Sequence, residues 1–281
     1  MLNRKSHCVG MTLLELLICI ALSLTIVSGL SSIYWITEKN HQQQLALNII
    51  EDNARTAFHI LKNDIQYAGY IGCAKLKTDD VIDANNRPYL SPWNRVYGTE
   101  NRITVIHANK LSAKVLKIAD DASSVWVAAT PVFKKDNIVM ISSCQHAEVF
   151  SLKEVSYFNA MQRLSAISPW HYAYDSSSEV SRLNQNTYFV KATNRKDLHG
   201  KSISALYVEN IQHKVTELVE GVAAMKLKYD VKINDKIISM SADEVTDWSA
   251  VKGVSIQLRL SAVYGLPLQK DWYTYIALRE L

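Results

Sequence analysis

The feature that most constrains this chain is an apolar run from Met11 to Ile36 that holds one charge, Glu15. Wound as a helix, its roughly 26 residues would extend about 39 Å, more than the ~30 Å hydrocarbon core of a bilayer. Arg4 and Lys5 precede the run, Gly10 stands at its edge, and no further charge follows Glu15 until Glu38. A carboxylate inside such a segment is costly in lipid and marks a functional position.

Three readings compete for this stretch. A secretory signal peptide shares the basic start and apolar centre, and Ser28-Gly29-Leu30-Ser31 offers a mediocre cleavage site. A signal anchor explains the length and the basic flank. Neither explains Gly10 and Glu15 together. Gly10-Met11-Thr12-Leu13-Leu14-Glu15-Leu16 resembles the prepilin signal of type IV pilins and their secretion relatives. That resemblance implies cleavage after Gly10 by a membrane aspartic peptidase, methylation of the new Met11 amine, and pairing of Glu15 with the Met11 amine of a neighbouring subunit. Met11 stands where the family usually has Phe. The pairing is physically reasonable, because a buried carboxylate needs a cation to offset its desolvation. The residues flanking Glu15, from Thr12 to Cys19, supply none.

With 48% apolar residues, nine Gly and five Pro in 281 residues, the chain has the composition of one large or two small folded domains. Its formal charge of +4 falls by two if Arg4 and Lys5 leave with the leader, too little to argue for nucleic acid. Cys8 belongs to the leader and Cys19 to the apolar run, so an exported head keeps Cys73 and Cys144. Two cysteines in an oxidising compartment read as one disulfide; two free buried thiols are the alternative. The bridge would close a loop worth about 4.4 kcal/mol by chain entropy.

Beyond Ile36 the helical pattern continues. Leu45, Ile49, Asn53, Ala57, Leu61 and Ile65 form a stripe, flanked by Ile50, Ala54, Phe58 and Ala68, with neither Pro nor Gly from Leu30 to Ala68. One helix is expected from Met11 to Ala68, capped by Gly69. Residues 74–101 and 159–186 read as irregular. Strand patterns occupy 103–106, 113–118, 125–128, 137–142, 148–152, 155–158, 187–191, 204–208, 214–218, 222–233, 254–260 and 272–278. The fold class is α+β: a leader (1–10), a transmembrane or filament-core helix (11–36), its amphipathic continuation (37–69) and a β-rich head (70–281).

Several segments resemble the PilW-type minor pilins. They are Tyr67-Ala-Gly-Tyr-Ile-Gly-Cys73, Lys135 to Cys144 with Ala147-Glu-Val-Phe150, and Glu217-Leu-Val-Glu-Gly-Val222 with Met225-Lys-Leu-Lys-Tyr229. Val251 to Leu260 and the ending Ala277-Leu-Arg279 also fit. This resemblance implies a minor pilin that helps initiate or cap a type IV pilus. Its partners would be other minor and major pilins, prepilin peptidase, the inner-membrane assembly machinery and a tip adhesin. It would sit in the inner membrane with its head in the periplasm, or at the tip of a surface pilus. A type II secretion pseudopilin shares the plan; a signal-anchored periplasmic enzyme or binding protein with an unrelated head is the rival from another class.

Catalytic signals are thin, so no enzyme, metal or cofactor is expected. The eight His show no metal-ligand spacing, and no Gly-x-Ser-x-Gly elbow, Walker loop or Gly-x-Gly-x-x-Gly is present. His171-Tyr-Ala-Tyr-Asp175 reads as a surface turn, and Asp79-Asp80 and Asp120-Asp121 as turn residues. The clusters Lys110/Lys114/Lys117 and Lys191/Arg195/Lys196 read as solvated charges, since aromatic interleaving is weak.

Overall fold

A computed structural model describes residues 13–72, 81–84, 94–119, 123–129, 133–197, 200–263 and 268–279. One helix, α1 (Leu13–Gln66), runs 54 residues, about 81 Å if straight. From Leu13 to Ile36 every side chain is exposed; from Ala46 onward one face is buried. That face is Ala46, Ile50, Ala54, Ala57, Leu61 and Ile65. Leu45 and Ile49, expected in the core, are 49% exposed and half-buried respectively. The reason is angular. Successive steps of four residues drift by about 40° each, so a stripe of unbroken fours from Leu45 to Ile65 turns through roughly 200°. The single step of three from Ala54 to Ala57 resets this drift and holds the buried set within an arc of about 100°. Gly69, at φ +80°, ends the helix as expected, and its amide donates to the Ile106 carbonyl at 2.8 Å.

Fourteen strands follow among the described residues. In order they are β1 (Val81–Asp83), β2 (Val96–Gly98), β3 (Arg102–Ile118), β4 (Ser124–Ala128), β5 (Ile138–Ser142), β6 (Ala147–Phe158) and β7 (Met161–Ala166). Then come β8 (Glu179–Lys196), β9 (Ser202–Asn210), β10 (Val215–Glu220), β11 (Val222–Ile233), β12 (Lys236–Met240), β13 (Val251–Ser261) and β14 (Gln269–Ala277). The stretch 159–186, expected to be irregular, holds β7 and the start of β8. Both were hard to see because their apolar residues are interspersed with Gln162, Arg163 and Arg182. The patterns at 103–106 and 113–118 join in β3, and those at 148–152 and 155–158 join in β6, through changes of register.

These strands make two large bodies of core and, at the waist between them, a smaller one around Ile71, Ile106, Met140, Val149 and Leu183. β3, β4, β7, β6, β5 and β8 pair antiparallel in that order, and β8 returns to β3, so six strands close on themselves. The interior is filled by alternate side chains: Val115, Val127, Leu164, Leu152, Ile141 and Val180. Trp170 and Tyr174, from the connection between β7 and β8, join this core, with Trp170 edge-on to Phe150 at 4.8 Å. Below the barrel, β3 and β8 continue into an arm with β2, β9 and β10, while β12-β11-β13-β14 forms a separate sheet. The buried face of α1 closes a second core against both sheets. Gly221, at φ +76°, turns β10 into β11; a Cβ there would stand 2.8 Å from the Ser261 carbonyl oxygen.

Leu61 is fully buried in that second core. Burial of one such side chain contributes about 1.5–3 kcal/mol, and a carboxylate in its place adds a desolvation penalty. A chain beginning at Gln42 should therefore fold and melt cooperatively, and Leu61→Asp should abolish its melting transition in circular dichroism. Leu45→Asp, on the exposed side, should shift the midpoint by no more than about 0.5 kcal/mol.

Candidate functional site

Of the residues expected to carry function, Gly10, Met11 and Cys73 lie outside the described residues. Glu15 sits in the first described turn of α1 and is exposed. Around it every side chain from Leu13 to Ile36 is exposed, and an 18-residue window of the helix reaches a mean hydropathy of 2.4. The chain thus carries one helix long and apolar enough to cross a membrane, joined without a break to the part that packs on the head. Tyr34 and Trp35, edge-on at 6.0 Å, stand at the end of the apolar run, where amphipathic rings suit a membrane–water boundary. The first buried side chain, Ala46, lies eleven positions, or about 16 Å of helix, beyond Trp35.

The other end of the helix is held by a polar cluster that sequence reasoning missed. Asp64 Oδ2 accepts from Tyr188 Oη at 2.9 Å and from Asn186 Nδ2 at 3.0 Å. His107 Nε2 stands 2.8 Å from Asp64 Oδ1, and His107 Nδ1 stands 2.8 Å from the Ala108 carbonyl oxygen. With an acceptor against each ring nitrogen, only the doubly protonated imidazole satisfies both contacts. Burial works against that charge, yet the hydrogen bond and charge of Asp64 prevail and raise the His107 pKa. Burial and the same carboxylate raise the pKa of Tyr188, which keeps its hydroxyl a donor. Lys110, in the bulge of β3, adds a cation 3.7 Å from the centroid of the Tyr67 ring. Asp64 and His107 are 43 positions apart, and nothing local in the sequence links them.

Cys144 lies in the turn from β5 to β6 and is disulfide-bonded, whereas Cys19 is free. The turn is tightened by Ser143 Oγ, which accepts from the amides of Gln145 and His146. His171 and Asp175 do not meet. His171 Nδ1 is 2.8 Å from Oε1 of the fully buried Glu148, and Asp175 accepts from the Ser177 amide at 2.8 Å. Among the described residues no group of three or more His, Cys, Asp or Glu could hold a metal ion. Asp79-Asp80 and Asp120-Asp121 lie outside the described residues. Of the basic clusters, Arg195 is paired with Glu217 and Glu220 on β10, and Lys114 lies opposite Glu179. The chain matches no family model, no curated protein and no solved structure.

Two measurements check this site. An unfolded imidazole titrates near 6.5, so the raised value of His107 contributes stability that is complete below about pH 6.5 and is lost as the pH rises through the folded value. Urea melts of the head should show stability falling as the pH rises above about 6.5; His107→Gln and Asp64→Asn should each remove that slope and cost about 1–3 kcal/mol at pH 6. For the bridge, the expected partner of Cys144 is Cys73. Peptide mapping without reduction should recover the two in one fragment, and recovery of an alkylated Cys73 would exclude the pairing.

Proposed function

We propose that this protein is a minor pilin, anchored by α1 in the bacterial inner membrane with its head in the periplasm, that acts in initiating or capping a type IV pilus. The observation that carries the reading is the continuous helix: its outer half is exposed and apolar with one carboxylate in its first turn, and its inner half is built into the head. A filament subunit needs both properties, because the exposed half must pack against neighbours once it leaves the lipid. The Gly10-Met11 junction and the segments from Tyr67 to Arg279 that resemble PilW-type pilins support the finer assignment. Other pilins, the assembly machinery and a tip adhesin are the partners this reading implies, and prepilin peptidase is the processing enzyme.

In this role Glu15 pairs with the methylated amine of Met11 on a neighbouring subunit. Leaving one charge of such a pair alone in a dry filament core costs roughly 3–5 kcal/mol, enough to exclude a subunit. The clamp at Asp64 lies 49 residues away along the helix, about 74 Å, and is insensitive to the change. Mass spectrometry of the membrane-extracted protein should find an N-methylated Met11 terminus; an intact Met1 leader in cells with active peptidase would refute processing. Glu15→Ala should be exported, cleaved and folded, yet fail to support piliation or to co-purify with other minor pilins. Normal piliation by that variant at native expression would overturn the assembly role.

A further inference from the structure

At the waist between the barrel and the lower arm, the two strands that share one edge of β8 part company. β5 pairs with β8 only as far as Arg182, opposite Val139, and β9 begins at Asn186, opposite Asn210. Leu183, Asn184 and Gln185 thus have no strand partner on that edge, although β3 pairs with them on the other. The gap opens as a cavity of about 310 Å³, at the small end of the range of roughly 300–1,000 Å³ for small-molecule sites.

Its lining is chemically uniform. Six of the ten residues around it carry carboxamides: Asn137, Asn184, Gln185, Asn186, Asn210 and Gln212. One is a guanidinium, Arg182, and the other three, Ile138, Leu183 and Ile211, form an apolar floor continuous with the core at the waist. Neither a carboxylate nor a lysine is among these lining residues. Two buried polar atoms here, Arg182 Nε and Gln185 Oε1, have no hydrogen-bond partner within the protein. Leaving such groups unmet typically costs about 1–3 kcal/mol each, a cost that a polar ligand lodged in the gap would offset. The engaged carboxamides also keep capacity to spare: Asn137 Oδ1 accepts from the Lys134 amide, Asn210 Oδ1 accepts from the amides of Gln212 and Lys214, Asn186 Nδ2 donates to Asp64, and Gln185 Nε2 donates to Tyr97 Oη at 3.4 Å.

The donor set selects the ligand. The lining has no carboxylate, His or Cys to hold a metal ion, a single guanidinium to hold a phosphate, and walls too polar for an apolar ligand. A carboxamide both donates and accepts within one side chain, as a hydroxyl does. A neutral, hydroxyl-rich ring over an apolar floor satisfies both halves of the lining. We propose that the cavity between β5 and β9 is a carbohydrate site that takes one or two uncharged sugar rings, with Arg182 and Gln185 meeting their hydroxyl or ring oxygens from the buried side. This assignment is independent of how the apolar helix is used.

The test uses the full chain purified in lauryldimethylamine oxide, since glycoside detergents would compete. Glucose, galactose, N-acetylglucosamine and lactose are titrated by calorimetry and by saturation-transfer NMR, with an uncharged acetylated dipeptide amide as the alternative probe. Saturable binding of at least one sugar is expected, weakened about ten- to a hundredfold by Arg182→Met, as suits loss of a hydrogen bond from a charged donor. Asn184→Leu and Gln212→Ala should weaken it too. If Arg182→Met lowers the melting temperature of the head, the other two variants decide, because Gln212 is exposed in a turn. Absence of saturable binding by every sugar, binding unaffected by Asn184→Leu and Gln212→Ala, or a response to the dipeptide amide alone would each overturn the proposal.

Discussion

The burial of one face of α1 against the head is the constraint on which the rest depends. A helix whose first half is apolar on every side has no stable place in water, and a helix whose second half is amphipathic has no stable place in lipid. The two demands meet in one uninterrupted element, which fixes the geometry of the whole molecule. The head is carried at one end of a rigid rod, and the exposed apolar half is held clear of it by about 16 Å of polar helix. The small residues Ala54 and Ala57 let the rod lie close to the sheets, while Ile50, Leu61 and Ile65 supply the buried area.

Packing alone leaves a helix free to slide or rotate, and the Asp64 cluster removes that freedom. Three donors from three positions on β3 and β8 converge on one carboxylate of the helix. Hydrogen bonds have narrow angular and distance tolerances, so they fix register where apolar contacts tolerate shifts. Because β3 and β8 also run up into the closed barrel, the helix, the arm and the barrel share two strands. The waist where this transfer occurs is where the register of β3 breaks after Ala108 and where β5 and β9 separate along β8. Irregularity is concentrated there, and so is the polar cavity.

Much of the fold was legible in the sequence because its signals are local. The length and uniform apolarity of residues 11–36, the absence of Pro and Gly from Leu30 to Ala68, and Gly69 as a stop give the helix to within two residues at its end. The pattern at 222–233 coincides with β11, and the alternation at 254–260 locates β13 but misses its first three residues, Val251 to Gly253. β12 escaped notice, although Asn234 and Asp235, both at positive φ, form the kind of two-residue turn that announces a hairpin. β7 was hidden because Gln162 is a buried position on a strand whose other inward residues are Leu164 and Ala166. Such a residue breaks the alternation that identifies strands.

The sequence by itself therefore determined an apolar helix with one early carboxylate, its amphipathic continuation and a β-rich head, since each follows from the spacing of neighbouring residues. Only the tertiary structure decided which helical face is buried, that six strands close into a barrel, and that Asp64 meets His107, Asn186 and Tyr188. It also decided that carboxamide residues of β8, at the start of β5 and at the end of β9 line one cavity. These features join residues more than a hundred positions apart, 124 for Asp64 and Tyr188 and 167 for Asn53 and Glu220, and their partners are chosen by strand register, which depends on the packing of both faces at once. Local periodicity carries no information about that choice. A shift of one residue along β8 would keep every local pattern intact and would turn Asn186 and Tyr188 away from the helix.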